Sequence, residues 1–308
     1  MSTTKAFVCG ATGTQGGAIA RHLRAKNIEV NALARDPTSG PAKALEALGV
    51  KLWHGDYDNK EVIAAAMAGC TAVFINLMPN LQDLNTEIGW AKNLLEAGKA
   101  AGAKHVVYSS SFSANQTEKI KFLDQQGFVA MVLRSKHAIE LEVQAAGYEH
   151  WTILRPGNFM ANYLPPLVRM YAGLIETGVW TTAMTAETVL PMVDTETIGR
   201  FGAAAILEPE RFSGKDVTFA DQLMGGDEIM AELSAATGRE LKVVYLTDEE
   251  IEEQQGSNIF IGGQLVMRDM SQFVNLDEVK EWGIPLSTFK AFLEREKERV
   301  NETYNKTV

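Results

Sequence analysis

The sequence is poor in cysteine and in positive charge. Its two cysteines, Cys9 and Cys70, lie in or beside apolar runs, where a free thiol usually packs as a small buried hydrophobe. Two cysteines do not predict a disulfide framework, and they favour a reducing compartment. Lysine and arginine number 29 against 39 acidic residues, a net charge of −10. This balance disfavours direct nucleic-acid binding and a broad contact with anionic membranes, but it leaves room for a local basic pocket.

Long apolar runs and several common catalytic motifs are also missing. No stretch reaches about 18 uninterrupted apolar residues, and MSTTK leads straight into a strand-like run rather than into a leader. We therefore expect no membrane segment, and a protein of the cytoplasm or of cytoplasm and nucleus. The five histidines form no H-x-x-x-H or Cys-His cluster, and no G-x-S-x-G occurs, so we expect neither a metal site nor a hydrolase nucleophile elbow.

What the sequence does have is a regular alternation of strand-like and helix-like segments. The strand-like segments are KAFVCG, IEVNALA, VKLWHGD, TAVFINL, HVVYSSS and HWTILRPGNF. The helix-like segments between them are GAIARHLRAK, AKALEALG, EVIAAAMAG, EIGWAKNLLEAGKAAG and SKHAIELEVQAAG. Strands joined by helices of this length are parallel, with right-handed crossovers. The alternation predicts an α/β fold with a doubly wound parallel sheet, the NAD(P)-binding Rossmann fold.

The regularity loosens after about residue 156. We predict a dinucleotide-binding domain over 1–156 and a smaller α+β lobe, assembled from several segments, over 157–308. Within that lobe, residues 186–207, which hold VLPMVD and TIGRFGAAAIL, are expected to return to the first domain. FLEREKERV is predicted to form a terminal helix. The second lobe would hold a small-molecule substrate or a protein partner.

The first strand–helix junction is a glycine-rich turn, Gly10-x-x-Gly13-x-x-Gly16. It is one residue wider than the common G-x-G-x-x-G, but it lies between a strand and a helix in the first βα unit. This context places first-turn N–H groups and the positive end of the helix dipole where a pyrophosphate can bind. The alternative is a tight turn without a ligand. The candidate phosphate-binding residues are Gly10, Thr12, Gly13, Thr14, Gln15 and Gly16.

The end of the second strand decides between NAD and NADP. An acid there chelates the ribose hydroxyls of NAD, whereas an arginine faces the 2′-phosphate of NADP. The sequence offers both, as Arg35 and Asp36. Arg35 comes directly off the strand and Lys43 lies close enough to help, so NADP(H) is preferred, with NAD(H) as the alternative. A solvated loop charge is the other interpretation of Arg35.

Polar residues follow the third and fourth strands. Asp56 and Tyr57 come after the third strand, and Asn76 ends the fourth, so all three are predicted at the carboxyl edge of the sheet. Asp56 is a candidate acceptor for the adenine amino group, and Asn76 a candidate contact for ribose or pyrophosphate. Each also fits a role in a turn or a helix cap.

Several segments together resemble a known family. They are GATGTQGG, Arg35, AKNLLEAGKAAGAKHVVYSSS, SKHAIELEVQAAG, TILRPGNFMANY and VDTETIGRFGAAAILEPERFSGKDV. Over about residues 5–240 the chain is similar to the NmrA-like branch of the atypical short-chain dehydrogenase/reductases. Members of that branch include NADPH-dependent reductases and catalytically silent NADP(H) sensors that regulate transcription factors. The resemblance therefore implies either a reductase of a small carbonyl, quinone or enone, or a redox sensor with a regulatory protein partner.

Lys136 is the main catalytic candidate. Ordinary short-chain dehydrogenases use Tyr-x-x-x-Lys, in which the lysine lowers the pKa of the tyrosine, but here Val132 stands in the tyrosine position. Lys136 shares a predicted helical stripe with Leu133, Ile139, Val143 and Ala146. A lysine on an apolar face must snorkel, pair or enter a site. The resemblance implies that it hydrogen-bonds the nicotinamide ribose and polarises or protonates the substrate; a surface lysine is the alternative.

The remaining candidates follow the fifth and sixth strands. Short-chain dehydrogenases place a substrate-orienting serine at the end of the fifth strand, where Ser110 is the best match in the run Ser109–Ser111. A hydroxyl bonded to local backbone is the alternative. The resemblance sets Pro156, Asn158 and Phe159 beside the nicotinamide, with Phe159 covering the ring or lining the substrate pocket.

Overall fold

The structure is a computed structural model that describes residues 4–80, 82–254, 258 and 260–305. Within these residues the strands are β1 (Lys5–Val8), β2 (Glu29–Ala34), β3 (Lys51–His54), β4 (Ala72–Ile75), β5 (His105–Ser109), β6 (His150–Pro156), β7 (Asn158–Phe159), β8 (Val179–Thr182), β9 (Val189–Val193), β10 (Lys215–Phe219), β11 (Gln222–Gly225) and β12 (Lys242–Tyr245).

The α-helices of the same residues are α1 (Thr14–Ala25), α2 (Gly40–Ala47), α3 (Lys60–Met67), α4 (Leu84–Ala100), α5 (Phe128–Ala145), α6 (Thr195–Leu207), α7 (Pro209–Phe212), α8 (Gly226–Thr237), α9 (Asp248–Gln254), α10 (Ile261–Met267), α11 (Leu276–Glu281), α12 (Phe289–Arg295) and α13 (Lys297–Tyr304). Short 3₁₀ turns occupy Ala114–Lys119, Met160–Tyr163, Leu167–Met170 and Met270–Phe273.

Among the described residues, the large sheet has seven strands in the order β10-β6-β5-β4-β1-β2-β3. Its pairs β1–β2, β1–β4, β2–β3, β4–β5 and β5–β6 are parallel, and Ala6 is in register with both Val30 and Ala72. The strand order reverses between β1 and β4, and ligands of doubly wound sheets bind beyond the carboxyl ends of the strands at such a point. The predicted α/β class and Rossmann-type sheet are confirmed.

Helices cover both faces of this sheet. On one face, α3, α4 and α5 pack on sheet residues such as Phe7, Val73 and Tyr108 to form a continuous apolar core. On the other face, α1 lies against α6. The two helices approach closely because α6 has a glycine at the contact: a Cβ added to Gly199 would lie 3.0 Å from the Cβ of Ala18.

The chain divides into two compact units. The first comprises the described residues of 4–115, 132–155 and 195–217, and the second those of 116–131, 156–194 and 218–305. Two segments differ from the division that the sequence predicted. Residues 116–131 belong to the second unit, and the returning segment begins at 195 rather than near 186 and continues to 217. The returning segment starts later because β9 pairs with β7 and β11 of the second unit. It extends further because β10 pairs with β6 at the edge of the large sheet.

The second unit has its own small sheets and core. β9 pairs antiparallel with β11 and parallel with β7, and β8 pairs parallel with β12. Its core is rich in aromatic and methionine side chains, among them Met160, Tyr163, Trp180 and Phe289. The fully buried carboxylate of Asp194 accepts two hydrogen bonds of 2.7 Å from Arg295 and one of 2.8 Å from Ser287, which fastens α12 to the end of β9.

Two predicted elements are broken in the structure. The predicted sixth strand splits at Gly157 into β6 and β7, which belong to different sheets. A Cβ at Gly157 would collide with the carbonyl oxygen of Pro191, so the passage of the chain from β6 to β7 requires a glycine at this position. The predicted terminal helix is interrupted at Glu296, between α12 and α13. Among the described residues, none of the helices combines the length and apolar character needed to cross a lipid bilayer.

Candidate functional site

The glycine-rich turn presents a bare helix end. Gly10 has a φ of +65°, in the left-handed region that favours glycine, and its carbonyl accepts a 2.9 Å hydrogen bond from the Gly13 N–H. Gly13 is the residue before α1 and has no side chain with which to cap it. Thr12, Gly13 and Thr14 are all exposed. The turn therefore leaves the positive end of α1 open to an anion.

Gly16 has a packing role. A Cβ added there would lie 2.5 Å from the carbonyl oxygen of Gly10 and 2.6 Å from that of Cys9. Real Cβ atoms do not come this close to backbone oxygens, so only glycine lets α1 start directly against the end of β1. This close approach is the role of the third glycine in dinucleotide-binding turns.

A network of side chains lies against the turn. The Gln15 amide donates to Asn76 Oδ1 at 3.3 Å, and its carbonyl accepts from the Ser109 hydroxyl at 2.7 Å. The backbone N–H of Gly10 donates to the hydroxyl of Tyr57 at 2.9 Å. Gln15, Asn76 and Tyr57 thus brace the turn by joining it to β3, β4 and β5, and the cofactor contacts predicted for them stay predictions.

The two charges after β2 have different surroundings. Asp36 Oδ1 accepts from the backbone N–H of Thr38 at 2.8 Å and from its hydroxyl at 2.6 Å, and these bonds lower the pKa of Asp36. Arg35 is exposed and has no hydrogen-bond or ion-pair partner among the described residues. Lys43, on α2, is also exposed. The acid is thus engaged in its own turn, while both cations are available to an anionic ligand.

Asp56 also serves a turn. Its Oδ1 accepts from the backbone N–H groups of Asp58 at 3.1 Å and of Asn59 at 3.2 Å, just before α3 begins. The side chain of Asn59 in turn caps α3 by accepting from the Val62 N–H at 3.1 Å. The turn role accounts for Asp56 in this structure, and its predicted contact with adenine stays a prediction.

The residues at this edge fit a dinucleotide. The open end of α1 suits a pyrophosphate, and Gly10 and Gly16 keep the backbone free of the Cβ atoms that would distort the turn. Arg35 has a guanidinium free for a phosphate, whereas the carboxylate that would chelate ribose hydroxyls, Asp36, is already hydrogen-bonded. This donor set fits a dinucleotide cofactor.

Lys136 is buried in the first unit. Its ammonium donates to the carbonyl oxygen of Leu77 at 2.6 Å and to Glu87 Oε1, and only 5% of the residue is exposed. Burial lowers the pKa of Lys136, and the negative charge of Glu87 opposes that shift. Burial likewise raises the pKa of Glu87, opposed by Lys136. Lys136 is therefore a buried, paired lysine and not a surface one.

Glu87 is a site residue that was not predicted from the sequence. It lies on the buried face of α4 with Ala91, Leu94, Leu95 and Gly98, at helical spacing, and it is fully buried. The sequence did contain a signal for Glu87. It has a carboxylate at a core position of one helix and a lysine at a core position of another. A buried charge requires a partner, so each of the two anomalies predicts the other.

Ser109 and Ser110 have different roles in the structure. Ser109 ends β5 and bonds to Gln15. Ser110 follows the strand, and its backbone N–H donates to the Leu154 carbonyl at 2.9 Å. Its hydroxyl is buried beside the hydroxyl of Tyr108, with which it interacts. Bonding to local backbone therefore does not explain the Ser110 hydroxyl.

Pro156, Asn158 and Phe159 belong to the second unit. Asn158 is buried; its amide lies 3.5 Å from the sulfur of Met192, and its carbonyl accepts from the amide of Asn162 at 3.3 Å. Phe159 is half-buried. Their predicted position beside the nicotinamide stays a prediction.

Cys9 and Cys70 are free and buried, and burial raises the pKa of each thiol to about 11, which keeps both protonated near neutral pH. Within the described ranges of the chain, no group of three or more His, Cys, Asp or Glu residues is arranged to hold a metal ion.

Known proteins resemble this chain in sequence and in fold. The NAD(P)H azoreductase of Xenophilus azovorans is 29% identical over 248 residues, which cover 80% of this chain and 79% of that protein. The NADPH-dependent quinone oxidoreductase of Escherichia coli, solved with NADPH, superposes with a TM-score of 0.73 at 19% identity over 94% of this chain and 99% of that chain. NmrA, a negative transcriptional regulator solved with NADP, superposes with a TM-score of 0.69 at 19% identity over 98% and 96%.

At these identities the two solved structures support the fold alone. The family is given by a sequence model described as NmrA-like family, which matches residues 2–300 of the 308. That match takes in the glycine-rich turn, Glu87, Lys136, the whole first unit as described and the second unit up to residue 300. The chain therefore belongs to the NmrA-like family and has its Rossmann fold.

Proposed function

We propose that this protein is an NADPH-dependent reductase of a small carbonyl, quinone or enone. The proposal rests on the buried ammonium of Lys136, which donates to the carbonyl of Leu77. Leu77 lies two residues after the end of β4, at the carboxyl edge of the sheet. A charged lysine is costly to bury and is retained where its charge is used. Relatives with reductase names, among them the azoreductase and the quinone oxidoreductase, support the same class of reaction.

The cofactor would be held by the residues of the first unit. The amide groups of Gly13 and Thr14 at the open end of α1 would bind the pyrophosphate, and Arg35 with Lys43 would bind the 2′-phosphate. NADP(H) is therefore preferred over NAD(H). When bound, this cofactor supplies the hydride for the reduction.

Lys136 would act on the substrate oxygen. In ordinary short-chain dehydrogenases a tyrosine gives the proton, but Val132 has no proton to give. An ammonium carries three N–H donors, and Lys136 uses two of them within the described residues, for Glu87 and Leu77. The third can stabilise an oxyanion and pass a proton to it, directly or through water. The hydroxyl of Ser110 would orient the same oxygen.

A non-catalytic sensor is the second candidate. Two observations favour it: the tyrosine is replaced by Val132, and the Lys136 ammonium is already tied to two protein acceptors. One solved neighbour is a negative transcriptional regulator that binds NADP. In this case the protein would bind NADP(H) without consuming it and would engage a regulatory protein partner. Either function suits a protein of the cytoplasm or of cytoplasm and nucleus.

One experiment separates the two. Purified protein with NADPH is offered quinones, enones and aldehydes while the absorbance of the reduced nicotinamide is followed. For a reductase, turnover should fall roughly 100-fold or more in Lys136→Met, and NADPH binding should weaken far less, because the contacts proposed for the pyrophosphate and the 2′-phosphate remain. The matched control is Lys92→Met, which removes an exposed lysine paired with Glu142 at 3.1 Å on the same pair of helices and should leave turnover unchanged. Tight NADPH binding without oxidation by any acceptor favours the sensor.

A further inference from the structure

Glu87 and Lys136 form a buried ion pair between α4 and α5. Glu87 is fully buried and Lys136 nearly so. Among the described residues, Glu87 is the only ion-pair partner of Lys136, and its second carboxylate oxygen has no hydrogen-bond partner. Replacing such a pair by apolar residues is often neutral or stabilising, so fold stability alone is a weak reason to keep it.

Among the described residues, two further titratable groups face the pair, and burial keeps both in their neutral form. Cys9, at the end of β1, lies near Lys136, but burial raises the pKa of its thiol to about 11. Tyr108, on β5, lies near Glu87, and burial raises the pKa of its hydroxyl well above the usual range. Glu87 is thus the group whose charge keeps the Lys136 ammonium protonated in a buried position.

The pair is also joined to the glycine-rich turn. Leu77, the second acceptor of the ammonium, directly follows Asn76, whose side chain accepts from Gln15 in the first turn of α1. A short run of backbone thus connects the site proposed for the pyrophosphate to the position of the lysine. With Glu87 on one side and Leu77 on the other, the ammonium is fixed in direction as well as in charge.

We propose that Glu87 is the positioning residue of the reduction: it holds the Lys136 ammonium charged, with its third N–H free for the substrate oxygen. This inference rests on the proposed reductase function. It gives the protein a Glu–Lys pair in place of the Tyr–Lys pair of ordinary short-chain dehydrogenases. When Lys136 passes a proton to the substrate oxygen, a proton from solvent restores the ammonium, and the buried carboxylate of Glu87 favours that return.

The first test is the pH dependence of kcat/KM in Glu87→Gln. The amide keeps the size of the side chain but removes its charge, so the pKa of Lys136 should fall further and the ammonium should be lost at lower pH. We expect activity close to that of the unmodified protein near pH 6, and a loss roughly tenfold greater than in that protein near pH 9. The NADPH affinity should change less than about twofold, because Glu87 makes no cofactor contact in this proposal.

The matched control is Glu96→Gln, on the same helix. Glu96 is exposed and pairs with Lys60 at 3.4 Å, a surface pair of little energetic weight. Its pH profile should coincide with that of the unmodified protein. Glu87→Asp keeps the charge but shortens the side chain, so it should lower activity at every pH without an added alkaline loss. A Glu87→Gln profile that coincides with that of Glu96→Gln would overturn the proposal.

A second readout does not depend on turnover. Protein labelled with ¹³C in its lysine side chains is titrated by NMR, and the signal missing from Lys136→Met identifies Lys136. In Glu87→Gln that signal should report loss of the ammonium at lower pH than in the unmodified protein; identical titrations would refute the role of Glu87. If the titration shifts but no acceptor oxidises NADPH with the unmodified protein, the proposed reductase function fails while the charge-holding role of Glu87 stands.

Discussion

Two alanine substitutions should act in opposite directions. In Gly16→Ala the new Cβ would lie 2.5 Å and 2.6 Å from two backbone carbonyl oxygens, and neither can rotate away. The turn or α1 must shift, which we expect to cost about 1–3 kcal/mol. In Gly89→Ala the new Cβ meets nothing within 4 Å on an exposed part of α4. That change should stabilise the protein by about 0.5–1 kcal/mol, because alanine is the better helix former.

The assay is urea unfolding of both variants beside the unmodified protein, followed by titration with NADPH. Gly16→Ala should unfold at lower urea concentration and bind NADPH at least about tenfold more weakly, since the shift moves the N–H groups proposed to hold the pyrophosphate. Gly89→Ala should unfold at higher urea concentration with unchanged affinity. If Gly16→Ala matches the unmodified protein in both measurements, the close approach of α1 to β1 does not set the geometry of the turn.

Three further outcomes follow from the first unit. Arg35→Ala should weaken NADPH binding roughly tenfold to a hundredfold and NADH binding less than about twofold; equal losses in the two fluorescence titrations would argue against the 2′-phosphate contact. Burial lowers the pKa of His105 to about 4, below about 6.5 in the unfolded chain, so the neutral ring stabilises the fold above pH 6.5 and this stability is lost as the pH falls. Between pH 6.5 and 5, His105→Gln should remove about 1.5 kcal/mol of that dependence in urea unfolding, and an unchanged slope would refute it. Lys136→Met leaves the Glu87 carboxylate buried without its ammonium partner and should lower the free energy of unfolding by about 3 kcal/mol or more. Adding Glu87→Gln should recover much of that loss. If urea unfolding shows the double variant to be no more stable than Lys136→Met alone, the buried pair is contradicted.

The features predicted well from the sequence are local ones. The alternation of strands and helices is recorded in short periodic runs, and the glycine-rich turn needs only its own residues and its place between β1 and α1. Lys136 was recognised as anomalous because a charge on an apolar stripe is visible within a single helix. In these cases the physical cause and its sequence signal lie within about twenty residues of each other.

The features missed depend on distant parts of the chain. The break at Gly157 reflects the carbonyl of Pro191, which no pattern around the strand reveals. Glu87 could be identified as the partner of Lys136 only from the structure, in which α4 and α5 are neighbours. Both Arg35 and Asp36 were visible as charges, but the hydrogen bonds that occupy Asp36 are a matter of side-chain geometry.

The hydrogen bonds that Arg295 and Ser287 donate to Asp194 have a consequence for how the second unit folds. Arg295 is 101 residues away from Asp194, so the pair can form only when a long loop is closed, which costs chain entropy. Until these bonds form, hydration of the Asp194 carboxylate is favoured, because burying a carboxylate without its hydrogen bonds costs free energy. Docking of α12 and burial of the Asp194 carboxylate are thus coupled, and a chain cut before Ser287 would lose the three hydrogen bonds that Arg295 and Ser287 donate to that carboxylate.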